Sequence, residues 1–113
     1  MPESTDRGAF TEAVFYILLS LHQPMHGYAL MKNIADLTQK RVSLGAGTLY
    51  GALNTLEKKG LIQSFEESSK DRKKEYIITK LGKQSFNKEL VRLRELLKTA
   101  EAILGGSENE KGN

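Results

Sequence analysis

Residues 44–62 read LGAGTLYGALNTLEKKGLI, and their apolar positions recur at the spacing of one face of an α-helix. That stripe consists of Leu49, Ala52, Leu53 and Leu56. It predicts a helix from about Gly47 to Lys59, and Gly60 stands where a left-handed C-terminal cap is expected.

The face opposite this stripe is short and polar, with Thr48 and Tyr50 at its edges. Its central residues are Gly51, Asn54, Thr55 and Lys58. Bulky side chains would keep a helix away from base edges, so this face suits entry into the DNA major groove. Gly51 costs a helix about 1 kcal/mol relative to alanine, which predicts a role in close approach or tight packing. An ordinary solvent-facing helix side is the alternative.

The flanking segments predict the order helix, helix, helix, hairpin, long helix. Thr11 should cap a first helix that is apolar on nearly every side, and a second should run from about Gly27 to Leu37 or Gln39. Strands are predicted at 61–67 and 73–79, and a last helix from Thr79 to about 104. This order indicates a mainly α fold with a small β-hairpin: a winged helix-turn-helix plus a long C-terminal helix. We expect a flexible N-terminus at 1–9, a DNA-binding domain at 10–79, a dimerisation helix at 80–105 and a disordered tail at 106–113.

Charge is concentrated at the predicted hairpin. The chain of 113 residues carries a net charge of only +3, but residues 70–83 hold six basic residues against two acidic ones. The hairpin cations expected to contact DNA are Lys70, Arg72, Lys73 and Lys74. Cations at a wing usually bind phosphates or enter the minor groove. A solvated lysine-rich turn is the alternative.

Composition restricts the class of protein. Hydrophobic residues make up 39% and charged residues 27%, as in ordinary globular domains, and no apolar run approaches a membrane span. No cysteine is present, which excludes disulfides and thiolate chemistry. The N-terminus does not resemble a signal peptide, so we expect a cytoplasmic protein without cofactor or bound metal.

Several motifs in this order resemble the PadR family of bacterial transcriptional regulators. They are MHGYAL at 25–30, the 44–62 segment quoted above, RKKEYIIT at 72–79, and Leu81 with Gly82. The resemblance spans about residues 10–104 and is closest to the small subfamily with one C-terminal helix. It implies a homodimeric winged-helix repressor in which Tyr28, Thr48, Tyr50 and the basic wing face DNA. Ala46 stands where the family often has proline, and we expect alanine to leave the start of the helix less fixed while the helix itself survives.

The last helix carries a heptad seam. Its apolar residues follow a 4-3-4-3-4 spacing: Phe86, Leu90, Leu93, Leu97, Ala100 and Leu104. We expect this seam and Phe15 of the first helix to form a dimer interface, although packing on the chain's own core is the alternative. A two-fold dimer would place two recognition helices roughly 34–36 Å apart on a pseudo-palindromic operator. Apolar residues at the dimer centre could pack or could hold a small hydrophobic effector that releases DNA.

Two other classes of function, an enzyme and a protein-binding module, are alternatives to DNA binding. His22 and His26 are four residues apart, but Pro24 lies between them and breaks the helix that would align them on a metal. No nucleophile motif is present, so we expect no enzymatic activity. A winged helix that binds protein instead of DNA should expose an apolar or acidic face, which Gly51, Asn54 and Lys58 do not provide.

Overall fold

The computed structural model describes residues 9–66 and 74–105. The expected tail at 106–113 and three of the four wing cations, Lys70, Arg72 and Lys73, lie outside these residues. The expected flexible N-terminus at 1–9 also lies outside them, apart from residue 9. The helices are α1 (Glu12–Ser20), α2 (Gly27–Leu37), α3 (Ala46–Lys58) and α4 (Lys80–Ala100), and a π-helical turn, Glu101–Gly105, continues α4. The strands are β1 (Met25–His26), β2 (Ile62–Glu66) and β3 (Lys74–Ile78). The predicted winged helix-turn-helix with a long C-terminal helix is confirmed.

Local chemistry fixes where the helices begin and end. The Thr11 side chain accepts a hydrogen bond from the Val14 amide and caps α1. Thr79 caps α4 in the same way, accepting from the Gly82 amide at 3.0 Å while its hydroxyl donates to the Gly60 carbonyl at 2.6 Å. Gly60 adopts φ +78°, the left-handed conformation predicted for it after α3. One threonine therefore joins the end of α3 to the start of α4.

The sheet has three strands instead of the two of the predicted hairpin. Its order is β1-β3-β2, and both pairings are antiparallel. Met25 lies opposite Tyr76, and His26 lies opposite Glu75. The short β1 thus connects the start of α2 directly to the wing, which fixes the position of one relative to the other.

The core lies between α1, α2, α3, the sheet and the first half of α4. Its fully covered side chains include Ile17, Leu18, Leu30, Ile34, Leu49, Leu53 and Ile62. Phe86, predicted at the dimer seam, belongs to this core instead and is only 3% exposed. The rings of Phe15, His22 and Phe10 cover it, with centroids 5.0, 5.3 and 6.5 Å away.

Beyond Leu90 the apolar seam of α4 leaves the core. Leu93, Leu97 and Leu104 are exposed, as are Leu96 and Ile103 beside them. The molecule is elongated, 62 Å by 29 Å by 24 Å, in keeping with a helix of 21 residues followed by another turn. The second half of α4 therefore presents an apolar surface that this chain does not cover.

The buried carboxylate of Glu89 connects the N-terminal segment to α4. Glu89 is 2% exposed and accepts two hydrogen bonds from Arg92, at 2.8 and 2.6 Å. It also accepts the Phe10 amide at 3.3 Å. The bonds from Arg92 lower the pKa of Glu89 against the opposing effect of burial, and the Phe10 amide lowers it further.

Candidate nucleic-acid interface

The polar face of α3 points away from the core, as predicted. Leu49, Leu53 and Leu56 are buried, whereas the residues of the opposite face are exposed. The exposed set is Thr48, Gly51, Asn54, Thr55 and Lys58. Hydroxyl, amide and ammonium groups of this kind are the ones that hydrogen-bond base edges and phosphates.

Gly51 lies at the middle of this face and touches nothing across it. A Cβ atom placed on Gly51 would meet no atom within 4 Å outside its own helix. The Thr55 hydroxyl donates back to the Gly51 carbonyl at 3.1 Å, so it folds against the helix. Tight packing inside the chain therefore does not explain this glycine.

The position of the Tyr50 ring depends on the absence of a side chain at Gly27. The ring of Tyr50 leans from α3 onto the start of α2, and a Cβ on Gly27 would overlap its hydroxyl. The absence of a side chain at Gly27 lets the two helices approach, and it leaves Tyr50 half exposed at the edge of the polar face. Tyr28, the next residue, is 77% exposed on the same side.

A pocket of about 420 Å³ lies where α2, α3 and the sheet meet. Residues of all these elements line it: His26, Gly27, Tyr28, Tyr50, Glu66, Lys74 and Tyr76. It brings together three of the predicted DNA-binding residues, Tyr28, Tyr50 and Lys74. Its other four residues, His26, Gly27, Glu66 and Tyr76, were not predicted to contact DNA.

Hydrogen bonds hold the wing against α3 at this pocket. The Ser64 hydroxyl of β2 donates to Glu57 of α3 at 2.5 Å. His26 Nδ1 lies 3.1 Å from the Lys74 carbonyl, and its Nε2 lies 3.8 Å from a Glu75 oxygen. Lys74, the described member of the wing cations, is thereby placed beside Tyr28 and Tyr50.

Tyr76 was not predicted to lie at this site, but the alternation of side chains along a strand could have placed it there. Strand residues two apart share a face, so Tyr76 lies on the face of Lys74. Its burial raises the pKa of its hydroxyl, and the nearby Tyr50 and Glu57 add to this effect. The hydroxyl therefore stays protonated and can donate a hydrogen bond.

The two histidines lie apart on different elements. The His22 Nδ1 lies 3.0 Å from the Leu18 carbonyl at the end of α1, whereas His26 belongs to β1. Within residues 9–66 and 74–105, no three His, Asp or Glu side chains are grouped so that they could bind a metal. None of the helices that the structure describes has the length and hydropathy needed to cross a bilayer.

Comparison with known proteins identifies a family. Residues 15–88 match the transcriptional regulator PadR-like family. The fold is similar to a PadR-family transcriptional regulator from Eggerthella lenta, with a TM-score of 0.72 and 28% identity, covering 81% of this chain and 80% of that one. It is also similar to a transcriptional regulator from Clostridium thermocellum, with a TM-score of 0.70 and 28% identity, covering 89% of this chain and 98% of that one.

Comparison by sequence also finds a curated relative. It is an uncharacterized 37.1 kDa protein in transposon Tn4556 of Streptomyces fradiae, 39% identical over 66 residues. The match covers 58% of this chain but only 18% of that protein. This chain therefore resembles a small part of that relative.

Proposed function

The chain belongs to the PadR-like family of transcriptional regulators, and from this premise we propose that it is a homodimeric repressor that binds a pseudo-palindromic DNA operator. Proteins of this family are DNA-binding regulators and not enzymes. The observation that supports the proposal best is the exposed polar face of α3 beside Lys74 of the wing.

In this proposal α3 enters the major groove, and Asn54 reads a base edge. Thr48, Tyr50 and Tyr28 contact the adjoining phosphates, Gly51 allows the close approach, and Lys58 adds a cation at the end of the helix. The wing cations Lys70, Arg72, Lys73 and Lys74 bind the backbone beside the groove.

The dimer follows from the uncovered half of α4. Leu93, Leu97 and Leu104 expose an apolar surface at heptad spacing, and a second copy would bury it. Ala100 and the half-buried Leu90 and Phe15 would complete the interface. Two-fold symmetry then places the two α3 helices of the dimer in successive major grooves of the DNA. A dimer bound there prevents other proteins from binding the same site. A small hydrophobic effector that binds between the protomers would change this spacing and release DNA.

A binding experiment tests the proposal. Duplexes selected from a random pool should contain two inverted half-sites, and two chains should bind each duplex. Changing Lys73→Ala together with Lys74→Ala should weaken binding to all sequences and lower the slope of log K against log salt by about 2 per protomer. Lys88→Ala, an exposed lysine on α4, is the matched control and should leave the slope unchanged. An unchanged slope in the double variant would remove the wing from the interface.

A further inference from the structure

Tyr76 carries a buried donor that the fold leaves unused. Its side chain is 5% exposed and lines the pocket between α2, α3 and the wing. Among the residues that the structure describes, none hydrogen-bonds its hydroxyl. Such a group in a buried residue needs a partner from outside the chain, which water or a bound molecule supplies.

Other donors surround the same space. Tyr28, Tyr50 and Lys74 also line the pocket, and their hydroxyl and ammonium groups have no hydrogen-bond partner in the described part of the chain. The N-terminus of α2 borders the pocket, since Gly27 and Tyr28 line it, and His26 at the N-cap provides no side-chain hydrogen bond to the first turn. The free amides of that turn add further donors and a positive partial charge.

The nearby carboxylates are mostly engaged elsewhere. Glu57 accepts the Ser64 hydroxyl, and Glu75 lies beside the His26 ring. Glu66 is the carboxylate that lines the pocket, and it is exposed at the end of β2. The pocket therefore offers several donors, one cation and one opposing carboxylate, a set that suits an anion with several acceptor oxygens.

We propose that this pocket binds one phosphate of the DNA backbone in each half-site, with the Tyr76 hydroxyl as one of its donors. This inference rests on the proposed DNA binding and names a contact within it. A phosphodiester is favoured over a free anion because the pocket joins Tyr50 of α3 to Lys74 of the wing, the two elements that would flank the backbone. The bound phosphate would hold α3 and the wing in one fixed arrangement on DNA.

The first test is Tyr76→Phe, measured by fluorescence anisotropy on the selected operator and on unrelated duplex DNA. Affinity should fall about tenfold or more per protomer on both, because a phosphate contact does not depend on sequence. The salt slope should stay the same, since no cation is lost. Tyr16→Phe removes a hydroxyl from α1, away from the pocket, and should leave affinity unchanged. The melting temperature of free Tyr76→Phe protein should not fall, whereas a fall of several degrees would show that the fold already uses this hydroxyl.

The second test locates the phosphate. Operators with a single neutral methylphosphonate should lose affinity for the wild-type protein at one position per half-site, and Tyr76→Phe should lose much less at that position. Glu66→Gln should bind all duplexes more tightly, because it removes the opposing charge. Equal losses for both proteins at every position would overturn the assignment.

The remaining outcomes separate this inference from the proposed function. If the wild-type protein binds no duplex, the proposed function fails and this inference fails with it. If the wild-type protein binds DNA and Tyr76→Phe binds equally well, this inference alone is wrong. Inorganic phosphate is a separate probe, followed by the NMR shifts of the Gly27 and Tyr28 amides. If Tyr76→Phe weakens the binding of inorganic phosphate but not of DNA, the pocket holds a free phosphate and the assignment to the backbone is wrong.

Discussion

Replacing Gly51 with alanine should make the free protein more stable and the DNA complex weaker. The added methyl group meets no atom within 4 Å across the helix surface, so it introduces no strain. Alanine favours a helix interior over glycine by about 1 kcal/mol. The free energy of unfolding should therefore rise by about that amount, and Tm by about 4 °C.

The same methyl group should hold α3 away from the base edges. Gly51 lies at the centre of the exposed face between Thr48 and Asn54, where the proposed approach to DNA is closest. Forcing a methyl group into a well-packed contact costs about 1–3 kcal/mol, which is roughly a 5- to 150-fold loss of affinity per protomer. A dimer carries the substitution twice, so the loss on a full operator should be larger than on a half-site.

Thermal unfolding and fluorescence anisotropy measure the two effects separately. Gly60→Ala is the matched control, because it adds the same methyl group just past the C-terminal end of α3. At φ +78° alanine is strained, so this variant should lose about 1 kcal/mol of stability and keep its affinity for DNA. The reasoning about Gly51 is refuted if Gly51→Ala binds the operator as tightly as the wild-type protein. It is also refuted if that variant melts at a lower temperature.

Three further variants test the dimer, the base contact and the buried ion pair. Leu97→Glu should give a folded monomer in sedimentation velocity, because Leu97 is 58% exposed in the single chain, whereas Glu95→Lys on the far side of α4 should remain dimeric. Asn54→Ala should relax the preference at one base pair per half-site by about 1–3 kcal/mol, seen by repeating the selection; an unchanged motif would contradict the contact. Glu89→Gln should lower the unfolding free energy by about 1–2 kcal/mol at pH 7, measured in urea. Because the pKa of Glu89 is lowered in the fold, its stabilisation is present above the unfolded value of about 4.3 and is lost as the pH falls through the folded value. The difference in unfolding free energy between Glu89→Gln and the wild-type protein should therefore shrink at pH 3. A difference that does not change with pH would show that the charge of Glu89 does not stabilise the fold.

Most of the architecture could be predicted because it follows from local signals. Thr11, Gly60 and Thr79 each mark a helix boundary through their own side chain or backbone freedom, and the structure confirms all three. The polar face of α3 followed from helical periodicity alone. Such features depend on residues within a few positions of one another, so they are visible in a single sequence.

Features that depend on contacts between residues far apart in the sequence were not predicted. The two residues of β1 are too few to show an alternating pattern, and they form a strand only because β3 lies beside them. Phe86 fits the heptad spacing, but Phe10 and His22 cover it in the chain's own core. Gln39 adopts a left-handed conformation, φ 53°, between α2 and α3, which non-glycine residues rarely do and which no sequence pattern marked.

Gly51 and Tyr76 together argue against the reading of α3 as an ordinary solvent-facing helix. A helix that meets only water would be more stable with alanine at position 51, and a buried strand residue would be more stable as phenylalanine at position 76. At both positions the residue present stabilises the free chain less than this alternative would. Gly51 lies on the exposed face of α3, and Tyr76 lies in the pocket that Tyr50 also lines. Two such less stabilising residues close together on one surface are expected where that surface binds a partner outside the chain. Gly51 leaves room for close approach and Tyr76 leaves a donor free, and duplex DNA, the proposed partner, is both bulky and rich in acceptor oxygens.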